Sequence, residues 1–162
     1  MITYIKINGF KSFHNFEMEF TPLTVIAGAN ASGKSNLFDA LSLLSRLAET
    51  DLKTAFNEQR GNPIELFTLY GEEYASEMEF VVELLVDKVV KNSWEEEINV
   101  QFEKFRYTLK IKRITSIFGS EKLVVSYENL IQIDSLEESV SPFVETKKMA
   151  ISFIYLTLIR LK

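Results

Sequence analysis

Residues 28–36 read Gly-Ala-Asn-Ala-Ser-Gly-Lys-Ser-Asn, and their types and spacing suit the binding of phosphate. Gly28, Gly33, Lys34 and Ser35 occupy the four fixed places of the pattern G-x-x-x-x-G-K-[ST]. Glycine permits backbone conformations that a Cβ would obstruct, so successive N–H groups can point into one concavity around phosphate oxygens. Lys34 would bring a positive charge to the β- and γ-phosphates, and the Ser35 hydroxyl would coordinate Mg²⁺. The stretch therefore predicts a nucleotide-binding loop.

The segments on either side of the loop have the patterns that position such a site. The apolar run 23–27 before it predicts a strand, and apolar residues at helical spacing from Leu37 to Leu47 predict a helix after it. The phosphates would lie at the start of that helix near Lys34, where the first N–H groups have no intrahelical partner. The alternative is a glycine-containing turn that binds nothing, and the flanking patterns disfavour it.

Composition sets the class of protein. A chain of 162 residues with 46% hydrophobic and 25% charged residues suits one domain with a substantial core. There is no cysteine and His14 is the only histidine, so a disulfide framework or a metal centre built on thiolates or imidazoles is not expected. The net charge of -5 does not resemble a nucleic-acid-binding footprint, which would be basic.

The two ends of the chain indicate a cytoplasmic protein without a membrane partner. The N-terminal residues 1–10 have a strand pattern and lack the charged and long apolar regions of a signal peptide. The apolar run 149–160 is shorter than the ~20 residues that a spanning helix needs, so we expect it to be buried or to end a fragment.

The pattern along the chain predicts an α/β fold in three regions. Residues 1–60 hold three strands, at 2–7, 16–20 and 23–27, and a helix over 34–58, with a mixed sheet expected around that helix. Residues 66–133 alternate like a meander of antiparallel strands, and 134–162 form an uncertain tail. The basic residues of 104–113 are interleaved with aromatic and aliphatic ones, which favours the solvated face of a strand over nucleic-acid contact.

The first 44 residues resemble the N-terminal segment of the RecF/SMC-type ABC ATPases, including the OLD-like AAA-type ATPases. Members open with a strand, a Phe-Lys/Arg-Ser-Phe turn, a second strand, then G-x-N-G-x-G-K-S-N and a helix beginning Leu/Ile-x-x-Ala. The turn matches Phe10–Phe13, the loop matches Gly28–Asn36 and the helix carries Ala40 in its expected place. The match is specific over 1–44 and loose to about 133. The resemblance implies a phosphate-loop NTPase fold of ABC/SMC type.

The resemblance also implies a set of site residues and ligands. ATP and Mg²⁺ are the implied ligands, Lys34 the catalytic residue and Ser35 the Mg²⁺ ligand. Lys11 and Ser12 would lie near the nucleotide, although a turn between two strands equally favours polar residues. The implied nucleotide-binding residues are Gly28, Ala29, Asn30, Ala31, Ser32, Gly33, Lys34, Ser35 and Asn36.

The sequence departs from the family pattern inside and outside the loop. Ala31 stands where these families usually carry Gly, which would cost about 1 kcal/mol if the position needs positive φ. No Leu-Ser-Gly-Gly signature, Asp-Glu strand end or switch histidine follows. Asp87 and Asp134 end apolar runs without a following Glu, and Gln101 and Gln132 are the available candidates for the Mg²⁺-sensing glutamine, none of them well supported.

These departures predict the N-terminal lobe of a longer ATPase, an incomplete domain that binds ATP better than it hydrolyses it. The resemblance implies that the complete protein clamps ATP between two protomers and acts on DNA or with a nuclease partner, in DNA repair or antiphage defence. Two alternatives stay open. The chain could be a nucleotide-sensing module without hydrolysis, or a small-molecule phosphotransferase.

Overall fold

The computed structural model of the chain describes residues 1–91, 94–99, 103–117 and 119–133. Strands and helices alternate at the start and strands follow, so the predicted α/β class is confirmed. Neither α-helix in these ranges is long and apolar enough to cross a membrane. The elements are β1 (Ile2–Asn8), β2 (Phe16–Glu19), α1 (Lys34–Glu49), α2 (Leu52–Asn57), a 3₁₀ turn (Pro63–Leu66), β3 (Leu69–Tyr70), β4 (Glu73–Tyr74), β5 (Glu77–Leu85), β6 (Val89–Lys91), β7 (Glu97–Asn99), β8 (Lys104–Thr115) and β9 (Glu121–Gln132).

The main sheet has five strands in the order β2-β1-β5-β8-β9, and every neighbouring pair is antiparallel. The predicted meander over 66–133 is therefore confirmed for β5, β8 and β9. The strand expected over 97–113 is divided, because Glu97–Asn99 pairs with Val89–Lys91 in a separate hairpin while β8 starts only at Lys104. A third small hairpin joins β3 and β4.

The predicted strand over residues 23–27 is wrong. This segment is extended but belongs to no strand, and the side chains of Leu23 and Val25 are 83% and 81% exposed. A strand needs a neighbour for its N–H and C=O groups, and within the described ranges no strand lies beside this segment. The parallel component of the expected mixed sheet is accordingly not seen among the described residues, whose sheets are antiparallel.

The single helix predicted over 34–58 is two helices. α1 ends at Glu49 and α2 begins at Leu52 because the carboxylate of Asp51 accepts hydrogen bonds from the N–H groups of Lys53 and Thr54, at 3.0 and 3.1 Å. Aspartate at this N-cap position satisfies donors that would otherwise lack partners. The break turns α2 so that Phe56 is fully buried.

The hydrophobic core lies between one face of the sheet and the helices. α1 contributes Leu37, Ala40, Leu43 and Leu44, all buried and spaced along one helix face. From the sheet, alternate residues of β1 and β5 point into the same cluster, because side chains of a strand alternate between its two faces. The fully buried residues of the sheet in this cluster include Ile5, Ile7, Met78, Phe80 and Ile111.

The opposite face of the sheet is a ladder of ion pairs. Glutamates of β5 face basic residues of β8 across the strands, as in Lys110–Glu79 at 2.8 Å and Lys112–Glu77 at 3.4 Å. Glu83 contacts both Lys104 and Arg106 at 2.8 Å. The basic residues of 104–113 are thus paired with acidic neighbours, which agrees with the predicted solvated face and leaves little positive charge for nucleic acid.

The Glu83 cluster predicts a loss of stability in acid. Burial raises the pKa of Glu83, but hydrogen bonds and charge from Lys104 and Arg106 outweigh it, so the pKa lies below its ordinary value of 4.5. The ionised carboxylate therefore stabilises the fold above about pH 4.5, and this contribution is lost as pH falls through the lower, folded pKa. We expect the Glu83→Gln variant to lose less free energy of unfolding than the parent chain between pH 5 and pH 3, measured by urea unfolding. Equal losses in both chains would contradict this, and Glu73→Gln, an exposed glutamate of β4, is the control.

Candidate functional site

The two glycines of the loop have conformations that other residues could not easily take. Gly33 has φ +89° and is the N-cap of α1. A Cβ on Gly28 would lie 2.9 Å from the hydroxyl of Ser32, closer than side-chain atoms normally approach. The reason given from the sequence for these glycines therefore agrees with their geometry, because Gly33 needs positive φ and Gly28 needs the space.

The start of α1 presents unpaired backbone donors to the loop. The first helical hydrogen bond is from the Leu37 N–H to the Gly33 carbonyl at 3.1 Å, so the N–H groups of residues 34–36 precede the intrahelical ladder. No side chain caps this end and no acidic residue lies in the first turn. The helix dipole adds partial positive charge at the same place. These donors suit an anion, which is the geometry that a phosphate group requires.

The Lys34 side chain folds back over the loop. Its Nζ donates to the carbonyl oxygens of Gly28 and Ala29 at 2.6 and 2.5 Å and lies 3.3 Å from the Ser32 hydroxyl. The ammonium group is therefore at the rim of the concavity that the loop encloses. Ser35, the expected Mg²⁺ ligand, is exposed at the second helical position. The residues present fit a nucleotide phosphate held by amides, one lysine and a serine-bound Mg²⁺.

The turn Phe10–Phe13 lies against the start of α1. The Ser12 hydroxyl accepts a hydrogen bond from the Asn36 side-chain amide at 2.7 Å and is 3.4 Å from where a Cβ on Gly33 would lie. The Lys11 ammonium is instead 2.6 Å from the Asp39 carboxylate. Of the two residues implied to lie near the nucleotide, only Ser12 is placed beside the loop with its polar atom exposed.

Sequence reasoning missed Asp39 as part of this site. Asn36 and Asp39 are three residues apart on α1, a spacing that places both on one helix face. Each contacts a consecutive residue of the turn, Asn36 with Ser12 and Asp39 with Lys11. Two polar residues at this spacing, directly after the loop, were the available signal.

The other sequence candidates are not brought to the loop. Asp87 follows β5, whose last residue Leu85 pairs with Met1, whereas the Phe10–Phe13 turn follows the other end of β1. The length of β1 separates them by about 20 Å. Gln132 pairs with Phe105 in the strand row that includes Ile2, again at the far end. Gln101, Asp134 and the tail 134–162 lie outside the described residues.

The conformation of Ala31 predicts a gain when it is replaced by glycine. Ala31 has φ +64°, in the left-handed region where a Cβ costs about 1 kcal/mol or more. We expect the Ala31→Gly variant to bind ATP–Mg²⁺ up to about fivefold more tightly, because the loop reaches its binding conformation without that strain. Titration calorimetry measures the effect.

The matched control for this prediction is Ala29→Gly. Ala29 has no positive φ, so glycine there adds freedom to the unbound loop without relieving strain and should weaken binding. Equal changes in the two variants would contradict the explanation from strain.

Three comparisons place this geometry among known proteins. Residues 4–160 match the sequence profile described as an AAA domain. Fourteen solved chains match the fold. One of them, from work on the structural biochemistry of ATP-driven dimerization and DNA-stimulated activation of SMC ATPases, is 16% identical with a TM-score of 0.52, and the match covers 98% of this chain and 79% of that one. No curated protein matches the sequence.

The family match extends over nearly the whole chain, whereas the solved structure at 16% identity shows the shared fold alone. The resemblance inferred from residues 1–44 is thereby confirmed at the level of the family and the SMC-type fold. So is the broader prediction of an ATPase-type nucleotide-binding domain. With Gly28–Asn36 in the conformation described above and the profile matched from residue 4 to residue 160, this chain belongs to the AAA domain family and has the fold of the SMC ATPases.

Proposed function

We propose that this chain binds ATP–Mg²⁺ through its phosphate-binding loop and serves as the N-terminal lobe of a RecF/SMC/OLD-like ATPase. One observation carries the proposal. α1 starts at an uncapped, left-handed Gly33, so three N–H groups are left for an anion at the loop that Lys34 borders. No other residue type in the loop offers a charge that would compete with a phosphate, because 28–36 contains no acidic side chain.

In this proposal each loop residue has a defined part. The backbone N–H groups of the loop hold the phosphate oxygens, Lys34 neutralises charge that develops during phosphoryl transfer, and the Ser35 hydroxyl binds Mg²⁺. Mg²⁺ itself would bridge phosphate oxygens and offset their charge. The nucleotide-binding residues are Gly28, Ala29, Asn30, Ala31, Ser32, Gly33, Lys34, Ser35 and Asn36, with Lys34 as the catalytic residue.

Hydrolysis belongs in this proposal to the complete protein. The sequence carries no signature motif, Asp-Glu strand end or switch histidine, and Asp87 is remote from the loop. Catalysis of phosphoryl transfer depends on positioning and charge stabilisation, so a lobe without those groups should hydrolyse ATP very slowly. Residues 1–60 would be the loop-bearing core, 66–133 its antiparallel region and 134–162 the approach to the remaining part.

We further propose that the complete protein dimerises through ATP in the cytoplasm and acts on DNA or with a nuclease partner, in DNA repair or antiphage defence. The solved SMC ATPases are described by ATP-driven dimerization and DNA-stimulated activation, which supports this proposal by analogy of fold. The charge-paired sheet face offers no basic stripe, so DNA contact would involve another surface.

Titration calorimetry of the chain with ATP–Mg²⁺, with phosphate release followed in the same samples, tests the proposal. We expect binding with negligible release. Absence of binding would refute it, and rapid release without a second chain would contradict the half-site. Transfer of phosphate from ATP to a small-molecule acceptor would favour a phosphotransferase, and no turnover after adding a signature-bearing C-terminal half would favour a nucleotide sensor.

A further inference from the structure

The turn Phe10–Phe13 is held rigidly although its backbone is strained. Lys11 has φ +47°, an unfavourable conformation for a residue with a Cβ. Such a conformation persists only where surrounding contacts fix it. The contacts are hydrogen bonds of Phe13 N–H to Phe10 carbonyl at 2.8 Å, Gly9 N–H to Phe13 carbonyl at 3.0 Å, Lys11 N–H to Leu66 carbonyl at 2.8 Å and Thr68 hydroxyl to Phe13 carbonyl at 3.1 Å.

The Lys11 side chain ties this turn to α1. Its Nζ is 2.6 Å from the Asp39 carboxylate, and the two side chains are only 16% and 22% exposed. The ammonium also lies 5.8 Å from the centre of the Phe10 ring. A lysine that is neutralised by a carboxylate and largely enclosed does not present a free charge to a phosphate at the loop. Its role here is to fix the position of the turn.

The Ser12 hydroxyl, in contrast, is exposed and arranged as a donor. Asn36 donates its side-chain N–H to Ser12 Oγ at 2.7 Å, so the hydroxyl hydrogen must point elsewhere. Ser12 Oγ lies beside Gly33, at the end of α1 where the backbone N–H groups of 34–36 project. A hydroxyl whose acceptor role is filled can add one more donor to that group.

We propose that Asp39 is a positioning residue for nucleotide binding, acting through Lys11 to hold Ser12 where its hydroxyl donates to a phosphate oxygen. Asn36 orients that hydroxyl, and Lys11 does not contact the nucleotide. This inference rests on the proposed ATP binding by the loop and assigns roles within the same site.

The sign of the two charge removals separates this role from a direct one. ATP is an anion, so by charge alone Asp39→Asn should strengthen its binding and Lys11→Met should weaken it. If the pair acts as a tie, both variants should weaken binding by the same factor, about five- to tenfold. The double variant should bind no more weakly than either single one, because the tie is already broken.

The measurement is the ATP–Mg²⁺ dissociation constant of each full-length variant, with the unfolding temperature recorded without nucleotide. In the Ser12→Ala background, Asp39→Asn should cause no further loss of affinity while lowering the unfolding temperature as it does in the parent chain. The control pair is Lys6–Glu17, an ion pair at 3.2 Å between β1 and β2, for which Lys6→Met and Glu17→Gln should leave affinity unchanged.

Each outcome decides the matter. Opposite effects of Lys11→Met and Asp39→Asn would show that Lys11 acts on the phosphates by charge and would overturn the inference. A lower unfolding temperature with unchanged affinity would reduce Asp39 to a structural residue and overturn it equally. Failure of the parent chain to bind ATP would refute the proposed function itself, whereas binding by the parent with either pattern above would refute only the positioning role.

Discussion

Replacing Lys34 by alanine should weaken ATP–Mg²⁺ binding on the order of a hundredfold, because hydrogen bonds from a charged donor contribute up to about 3 kcal/mol each. The ammonium lies at the rim of the loop, 2.6 Å from the Gly28 carbonyl, so it can reach a phosphate held by the amides of 34–36. Titration calorimetry measures the change, and thermal unfolding without nucleotide should show that the variant is folded.

The matched control for Lys34→Ala is Lys53→Ala, which removes an exposed lysine from α2 and should leave binding unchanged. A Lys34→Ala chain that binds within threefold of the parent would mean that the loop is not the phosphate site. A loss of binding in both variants would indicate an effect of net charge rather than of position.

Replacing Phe80 by alanine should lower the free energy of unfolding by about 3–5 kcal/mol. Phe80 lies in β5, the central strand of the sheet, is fully buried, and has its ring centre 5.6 Å from that of Phe10. Truncation removes that aromatic contact and leaves a cavity which close-packed neighbours cannot fill. Urea unfolding followed by the fluorescence of Trp94 or by circular dichroism measures the loss.

Ile117→Ala is the control for the core, because Ile117 is 94% exposed in the turn between β8 and β9 and its removal should change the free energy of unfolding by less than about 0.5 kcal/mol. A Phe80→Ala chain that loses less than about 1 kcal/mol would contradict the description of a single core between sheet and helices. That result would mean that the neighbours of Phe80 can collapse into the space.

Local pattern was sufficient where an element's partners lie close in the sequence. β1 and β2 are joined by a short turn and α1 begins at the residue that follows Gly33, so propensity, spacing and turn residues all indicated the same structure. The loop was predictable for the same reason, because its chemistry is contained in nine consecutive residues.

Local pattern failed where a partner decides the outcome. The run 23–27 has the composition of a buried strand, yet a strand forms only when another one receives its hydrogen bonds. The end of α1 failed differently, since Asp51 was a readable cap that lay inside a stretch of helical spacing. Hydrophobic spacing alone does not register a cap, so two helices were taken as one.

The candidate site was predictable in its loop but not in its support. Lys11 and Ser12 were named from the resemblance, and both were assigned to the nucleotide. The carboxylate that separates their roles, Asp39, is 28 residues away in the sequence and 2.6 Å away in space. Contacts of that kind follow from how β1 and α1 pack together, which no local pattern specifies.

The contacts of the Lys34 ammonium mean that nucleotide entry is a ligand exchange. Phosphate oxygens must replace the carbonyl oxygens of Gly28 and Ala29 around the same cation, so the heat released on binding is a difference between two coordinated states. A titration should therefore give a smaller enthalpy than the number of new phosphate contacts suggests. Methylating the loop lysine would weaken both states at once, and removing the two carbonyls' hold would favour only the bound one.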